Sequence, residues 1–442
     1  MAEVMTKENK QTKETNYTGP FMIMVGLFFI VGFLTVVNQQ FQAPLKEAFL
    51  SDAGSLKNTL TTLLTFAFFM GFPTMGNISS RWAEAFGYKN TLIRGLIMLL
   101  VGLAVFVSSA LAGLDMGSMA FGAASVPYAY FIFLIGSYIL GCSIATLQVV
   151  INPYLAVCQV PGTSSVTRMS IGGSSNSIGT TIAPLFVTYL VFGNVAPTVD
   201  KVISPFFVLI AVVAVVAFLV SRLNLPEVAS SASEGGEVAK LKNSVWSYRH
   251  LVLGVVGIFV YVGAEVCIGA NINLYAENLG KIGAISKTTD FLFWKELAVP
   301  SLMASLYWGG MLVGRLCGSF LSKISGSVQL TATTIIAIVL IVTAMLTSNP
   351  WYLVGVGLVH SVMWGAIFSL AIDKLGVYTS KGSGALMIGV AGGAILPWVQ
   401  GIFADALGGW SMTWVLVIAC EVYLLFYALV GHKHNFTKEI TE

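Results

Sequence analysis

Twelve stretches of about 20 residues each are almost free of charge, and this leaves the chain few ways to fold. They fall at 21–43, 58–79, 91–112, 127–151, 169–193, 203–222, 250–275, 300–322, 330–348, 351–371, 383–404 and 411–431. A helix of roughly 20 apolar residues crosses a bilayer core. Inside lipid every backbone N–H and C=O needs a partner within the chain, so the stretches predict twelve transmembrane helices. They occupy more than half of the 442 residues and leave no room for a large soluble domain. The predicted fold class is therefore an all-α membrane protein. Charged residues make up 10% of the chain, against about 25% in soluble proteins, which excludes a soluble enzyme and a disordered chain. The net charge of +3 is too small to suggest nucleic acid as a partner; membrane lipid is the expected surroundings. Cys142, Cys158, Cys267, Cys317 and Cys420 lie scattered in apolar runs with no CxxC pair, and read as buried filler.

The polar start of the chain holds Lys7, Lys10 and Lys13, and the first apolar run is long and lacks a small-residue cleavage site. It reads as a retained helix and not a signal peptide. Most of the 23 Lys and Arg fall in the N-tail, in the loops after helices 2, 4, 6, 8 and 10, and in the C-tail. That bias predicts a multi-pass protein with both termini in the cytoplasm.

The segment 223–249 is the longest interruption that is both polar and charged, with Asn224, Pro226, Glu227, Lys240 and Lys242. It divides the chain into an N-tail (1–20), a six-helix bundle (21–222), a linker (223–249), a second six-helix bundle (250–431) and a C-tail (432–442). The bundles echo each other. GLFFIVGFL from Gly26 matches GIFVYVGAE from Gly257 at an offset of 231, through Gly26/Gly257, Phe28/Phe259, Val31/Val262 and Gly32/Gly263. A weaker echo at offset 213 relates Arg168 and Pro184 to Lys381 and Pro397. Two pseudo-symmetric halves are the architecture of secondary transporters, with the substrate site between them near mid-membrane.

The loop between helices 2 and 3 reads GNISSRWAEAFGYKN from Gly76 to Asn90. Gly76, Arg81, Gly87 and Lys89 resemble the loop signature of the major facilitator superfamily. Basic residues there can bond helix ends on the cytoplasmic side and latch one conformation. Gly314 and Arg315 stand as the second-half counterpart.

Ionisable groups inside a bilayer are expensive and are functional suspects. Glu265 lies about 15 residues, roughly 22 Å, into helix 7, with no Lys or Arg within a helical turn. Such a carboxylate can load a proton, or bind Na⁺ if further oxygens stand near. Glu421 is a second candidate, on the peripheral helix 12. Of the four His, only His360 lies within a helix, and it reads as structural. Amides form the second group: Asn38, Gln39 and Gln42 on helix 1, Gln148 and Asn152 on helix 4, Asn176 on helix 5, Asn271 and Asn273 on helix 7, and Gln400 on helix 11. Amides donate and accept at once, which suits the hydroxyls of a small neutral sugar. They equally serve as interhelical glue. Tyr138, Trp308, Trp364 and Trp398 could stack on a sugar ring. No GxxxxGK[ST], HExxH, GxSxG or His cluster appears, so neither ATP-driven transport nor an enzyme or cofactor reading finds support. A membrane sugar sensor is the rival of another class, but the short tails and linker supply no output domain.

The chain resembles the fucose:proton symporter family of the major facilitator superfamily, and within it the glucose/galactose transporter branch. The carriers are GLFFIVGFLTVVNQQFQAPLKEAF in helix 1, QVVINPYLAV in helix 4, YVGAEVCIGA in helix 7 and FSLAIDKLGVYTSKGSGALMIGVAGGAILPWVQGIFAD across helices 10 and 11. The resemblance implies a monomeric sugar importer of the bacterial inner membrane. It also implies an acid in helix 1 and another in helix 4, where this chain has Gln39 and Gln148. Glutamine bonds a hydroxyl but carries no proton. Glu265 matches a Glu of the glucose/galactose branch and remains. The resulting expectation is alternating access around a hexose such as glucose, galactose, mannose or fucose. Asn38, Gln39, Gln148, Asn152 and Asn176 would hold it from one half, and Asn271, Asn273, Trp364 and Gln400 from the other. Glu265 would couple transport to H⁺ or Na⁺; an uncoupled facilitator is the alternative.

Overall fold

The computed structural model of the protein describes residues 17–113, 116–121, 124–191, 203–223, 225, 244–292, 294–318, 324–375 and 378–434. Most of the expected N-tail, linker and C-tail, with Lys7, Lys10, Lys13, Asn224, Pro226, Glu227, Lys240 and Lys242, lies outside the described residues. Helix α1 (Thr18–Gln40) runs into a short α2 (Gln42–Ala48), and α3 (Lys57–Phe69) continues as α4 (Gly71–Ala112). Helices α5 (Tyr128–Val157), α6 (Ser165–Leu185) and α7 (Ile203–Arg222) complete a first set. The second set is α8 (Arg249–Lys281), α9 (Val299–Gly318), α10 (Gly326–Thr347), α11 (Trp351–His360), α12 (Met363–Ile372), α13 (Thr379–Ile388), α14 (Gly392–Ala406) and α15 (Val415–Phe426).

Among the described residues, nine helical runs are long and apolar enough to cross a membrane. One of them, Gly54–Ala112, turns back at Gly87, whose φ of 79° and ψ of 166° break the helix. Glycine takes that conformation without a steric cost. Gly87, expected in the gate, is thus the corner that makes two spans of one run. Helices α6 and α9 coincide with the expected fifth and eighth spans, and α6 is rich in Ser, Thr and Gly. Each of the twelve predicted stretches therefore meets a helix or a helix pair. The two β-hairpins were not expected. Strand β1 (Ser118–Phe121) pairs with β2 (Ala124–Pro127), and β3 (Thr288–Phe291) with β4 (Trp294–Ala298), both antiparallel and both in connections between spans.

In lipid, apolar side chains gain little by meeting each other, so helices associate where small residues let backbones come close. A Cβ on Gly179 of α6 would run into the backbone of Phe29 and Phe33 on α1. One on Gly392 of α14 would overlap the backbone of Phe259 on α8. These glycines stand 213 residues apart, the offset of the weaker echo. Gly141 on α5 meets the Phe68 carbonyl of α3, and Gly357 on α11 meets the Tyr307 carbonyl of α9 in the same way. The two helix sets therefore share their tightest crossings.

The sets touch mainly through α3 with α14 and α6 with α9. Asp405, in the last turn of α14, accepts from the backbone N–H of Asn58 (3.0 Å) and Thr59 (2.6 Å) and from the Thr59 hydroxyl (2.7 Å). A carboxylate from one set thus caps the N-terminus of a helix in the other. Lys281 reaches Glu47 at 3.0 Å, the Tyr189 hydroxyl accepts from the Ala298 N–H at 2.9 Å, and Thr188 bonds Ser301. These bonds lie toward the face opposite the Gly76–Lys89 connection. Toward the Gly76–Lys89 face the described residues show one hydrogen bond between the sets, from Arg315 to Ser177, and none beyond it, so among the described residues the sets are closed on one face and open on the other.

Replacing Gly392 by Ala should lower the thermal midpoint of the detergent-solubilised protein by several degrees, because a methyl group there costs about 1–3 kcal/mol of overpacking. Gly26→Ala, at a helix position with open space around it, should leave the midpoint unchanged or raise it.

Candidate functional site

The predicted site residues separate into two levels. The upper level is built where α1 ends. Asn38, Gln39 and Gln40 close that helix, and Gln42 follows the turn at Phe41; all four are buried. Asn38 Nδ2 donates to Ser137 Oγ at 2.8 Å, and Ser137 donates on to the Leu64 carbonyl at 3.0 Å, which ties α1 to α5 and α3. Gln42 donates to the Thr65 hydroxyl. Gln40 Nε2 donates to the Gly269 carbonyl (3.3 Å), and its Oε1 accepts from Asn273 Nδ2 (2.8 Å), reaching α8 in the other set. Asn271 Nδ2 donates to Gln400 Oε1 (2.9 Å), and Gln400 Nε2 donates to Thr413 Oγ1 (3.1 Å). After these bonds the amide oxygens of Asn38, Gln42, Asn271 and Asn273, and both polar atoms of Gln39, are buried with no partner among the described residues. A buried polar group left so costs about 1–3 kcal/mol, a charge that folding seldom tolerates in a cluster.

The lower level lies nearer the open face. Gln148 is 11 residues, about 16 Å, along α5 from Ser137. Gln148 and Asn152 are half-buried, and their amides have no hydrogen bond among the described residues. Asn176 donates to the Phe28 carbonyl (3.0 Å) beside Gly32, about 15 Å down α1 from Asn38. It clamps α6 to α1. The nine side chains expected around one sugar therefore do not meet at one point: two levels some 15 Å apart exceed what a single sugar ring spans.

Glu265 lies between the two levels, six residues or about 9 Å along α8 from Asn271 and about 24 Å from the closed end of that helix. Its side chain is 13% exposed. Sequence alone offered it no cationic neighbour. The fold supplies one: Arg315 Nη2 stands 4.0 Å from Glu265 Oε1, and Arg315 Nη1 donates to Ser177 Oγ of α6 at 2.8 Å. Arg315, expected at a cytoplasmic gate, lies between a carboxylate of its own set and a hydroxyl of the other. Helices α8 and α9 run antiparallel, and both residues stand 16 positions from the closed end of their helices, which is why they meet. Trp364 packs its half-buried ring 6.3 Å from that of Tyr261, one turn before Glu265. The remaining gate residues are unengaged: Gly76 has open space around it, and Arg81 and Lys89 make no hydrogen bond or ion pair among the described residues.

Two features escaped the sequence reading. Gln40 forms the amide link between the sets, and the internal repeat could have found it: the offset of 231 carries Gln40 onto Asn271 and Gln42 onto Asn273. His360 and Glu421, distant in sequence and both fully buried, stand 2.8 Å apart, and no periodicity announces such a pair.

No protein-family model matches the chain. It is 31% identical over 431 residues to a glucose/galactose transporter of Brucella abortus (strain 2308), spanning 96% of both chains. It is 29% identical over 442 residues to a putative glucose/galactose transporter of Helicobacter pylori (strain J99 / ATCC 700824), covering 96% of this chain and 99% of that one. The L-fucose-proton symporter of Escherichia coli (strain K12) is 24% identical over 447 residues and 93% of both chains. Among solved structures, a point variant of the E. coli fucose:proton symporter superposes with a TM-score of 0.61 at 21% identity, over 93% of this chain and 98% of that one. The E. coli xylose transporter in an inward open conformation gives 0.67 at 15% identity, over 95% and 97%. The protein, a multi-pass membrane protein of the major facilitator superfamily fold, belongs to the glucose/galactose transporter branch of the fucose:proton symporter family, a family of transporters and not of enzymes.

Proposed function

We propose that the protein imports a monosaccharide by alternating access and couples its movement to a proton at Glu265. The observation that carries this reading is the set of buried amide oxygens without donors on α1 and α8. Sugar hydroxyls are the donors such oxygens lack. No charged side chain stands in hydrogen-bond contact with these amides, which suits a neutral cargo such as glucose, galactose, mannose or fucose. Relatives named for glucose/galactose and for L-fucose with a proton support that class of substrate.

With the Lys/Arg bias setting the cytoplasmic side, the open face looks into the cytoplasm. Separating the sets on the other face would break the Gln40–Asn273 bond and the Asp405 cap, and would present the upper amides to sugar from outside. The sugar would pass to the lower level, where Gln148 and Asn152 hold their amides free, and leave inward. An ionised Glu265 attracts Arg315, which at the same time grips Ser177 across the sets. A proton on Glu265 removes that attraction and lowers the cost of moving the sets apart. Sodium fits less well. It needs several oxygen ligands, no group of three or more His, Cys, Asp or Glu occurs among the described residues, and the guanidinium at 4.0 Å opposes a cation. The location proposed is a bacterial inner membrane, with both termini cytoplasmic.

In proteoliposomes, Glu265→Gln should exchange labelled galactose across the membrane at equilibrium but should not concentrate it under a proton gradient. Full accumulation by this variant would place the coupling elsewhere, and a wild-type protein indifferent to both proton and sodium gradients would be a facilitator. Gln39→Leu should raise the sugar Kd roughly 5–10-fold, the worth of about one neutral hydrogen bond, while the thermal midpoint holds or rises, because Gln39 makes no internal bond to lose.

A further inference from the structure

The second helix set contains a buried acid and base for which the reading above has no use. Helix α11 ends at His360, and the span resumes with α12 at Met363. Interrupted helices leave carbonyls and dipole ends inside the membrane, where they serve ion sites. The His360 carbonyl accepts from the Tyr261 hydroxyl at 3.0 Å. The Tyr307 hydroxyl lies 3.2 Å from the Glu265 carbonyl, to which it donates, and 2.9 Å from His360 Nδ1. A tyrosine has one proton to give. With that proton on the Glu265 carbonyl, His360 Nδ1 must carry a hydrogen and donate it to Tyr307. His360 Nε2 then faces Glu421 Oε1 at 2.8 Å, a distance at which a proton must lie between them. It sits either on Glu421 as the neutral acid or on His360 as imidazolium.

The surroundings decide how that proton can move. Helix α8 offers Tyr261, Glu265 and Cys267 to this core, and α9 offers Tyr307 and Arg315. Cys420 precedes Glu421 on α15, α10 and α12 carry no titratable side chain, and the Tyr352 of α11 is exposed at its far end. Glu265 and Arg315 are thus the charges to be balanced. With these two paired, one proton on the His360–Glu421 pair leaves the whole cluster neutral. If that proton goes to Glu265, Arg315 keeps its positive charge and Glu421 becomes the carboxylate, and the cluster is neutral again. Losing the proton altogether leaves a bare negative charge in a fully buried core, which costs several kcal/mol. One proton serving two carboxylates is the arrangement of least electrostatic cost.

We infer that His360 and Glu421 form a second, buried proton site of the carrier, which holds the coupling proton while Glu265 is paired with Arg315 and exchanges it with Glu265 during transport. This rests on proton coupling at Glu265. The transfer balances: the O–H or N–H bond at the pair breaks, an O–H bond on Glu265 forms, the hydrogen left on His360 comes to stand on Nε2 facing the Glu421 carboxylate while Tyr307 turns its proton to Nδ1, and the summed charge is unchanged.

The test uses the full-length carrier in proteoliposomes with radiolabelled galactose and an internal pH dye, comparing Glu421→Gln, His360→Gln, Tyr307→Phe and Glu265→Gln. Tyr307→Phe keeps the ring and removes only the hydroxyl, so a folded variant is at hand even if the pair tolerates no change. Galactose counterflow without a gradient reports that a variant is folded and binds sugar. The expected result is retained counterflow, no accumulation above equilibrium, and no proton entering with galactose for Glu421→Gln and His360→Gln, with slower proton entry for Tyr307→Phe. A purely structural pair would lower the thermal midpoint yet leave proton entry per galactose at the wild-type value in every folded variant, and that result overturns the inference. If Glu265→Gln alone loses accumulation, only the second site fails. If Glu265→Gln accumulates as well, the coupling reading itself fails.

Discussion

Water does not reach the backbone inside a bilayer, so every N–H and C=O there must be answered by the chain itself. The rest of the structure follows from that requirement. It makes each span a helix, and it forces the one long run, Gly54–Ala112, to turn at a glycine near the membrane edge. It also transfers the task of holding helices together from apolar burial to close contact. The crossings at Gly179, Gly392, Gly141 and Gly357 meet neighbouring backbone directly, and they recur in both helix sets. Two rigid bodies built alike can then meet on one face at a time, as they do here through Asp405 on α3 and Ser301 with Thr188.

The same scarcity of water governs the polar groups. Among the described residues Asn38, Asn271 and Asn273 each lack a partner on the amide oxygen alone, and Gln39 lacks one on both polar atoms. A charge cannot stand alone, and in the second set Glu265 is accordingly paired with Arg315 and Glu421 with His360. In the first set, Gln39 and Gln148 are neutral. Arg168, buried in that set, is spent on the carbonyls of Leu155, Ala156 and Thr163 at the end of a helix. This asymmetry is the chemical difference between two halves that are otherwise packed by the same rules.

Some of the site was legible in advance and some was not. Asn38, Gln39, Asn271, Asn273 and Gln400 stand out as amides in apolar runs, and the fold gathers them near the closed face. Asn176 stands out equally, but its amide bonds the Phe28 carbonyl, and a one-dimensional pattern holds nothing that separates a clamp from a ligand. Gln40 was hidden among its neighbours, although the repeat offset points to it. The β-hairpins lie in short polar connections whose pairing depends on local geometry more than on hydropathy.

Hydropathy along the chain was enough to predict the spans and their class, because the cost of exposing backbone and charge to lipid acts residue by residue. The likeness of residues in helices 1, 4, 7 and 11 was enough to place the family. What the linear pattern could not contain is which polar groups meet. Arg315 lies 50 positions from Glu265, and Glu421 lies 61 from His360. These pairs exist because antiparallel helices of matched length bring equal depths together, and helix crossings set by glycine decide which faces look at each other. Depth is a property of each helix, but neighbourhood is a property of the packed bundle.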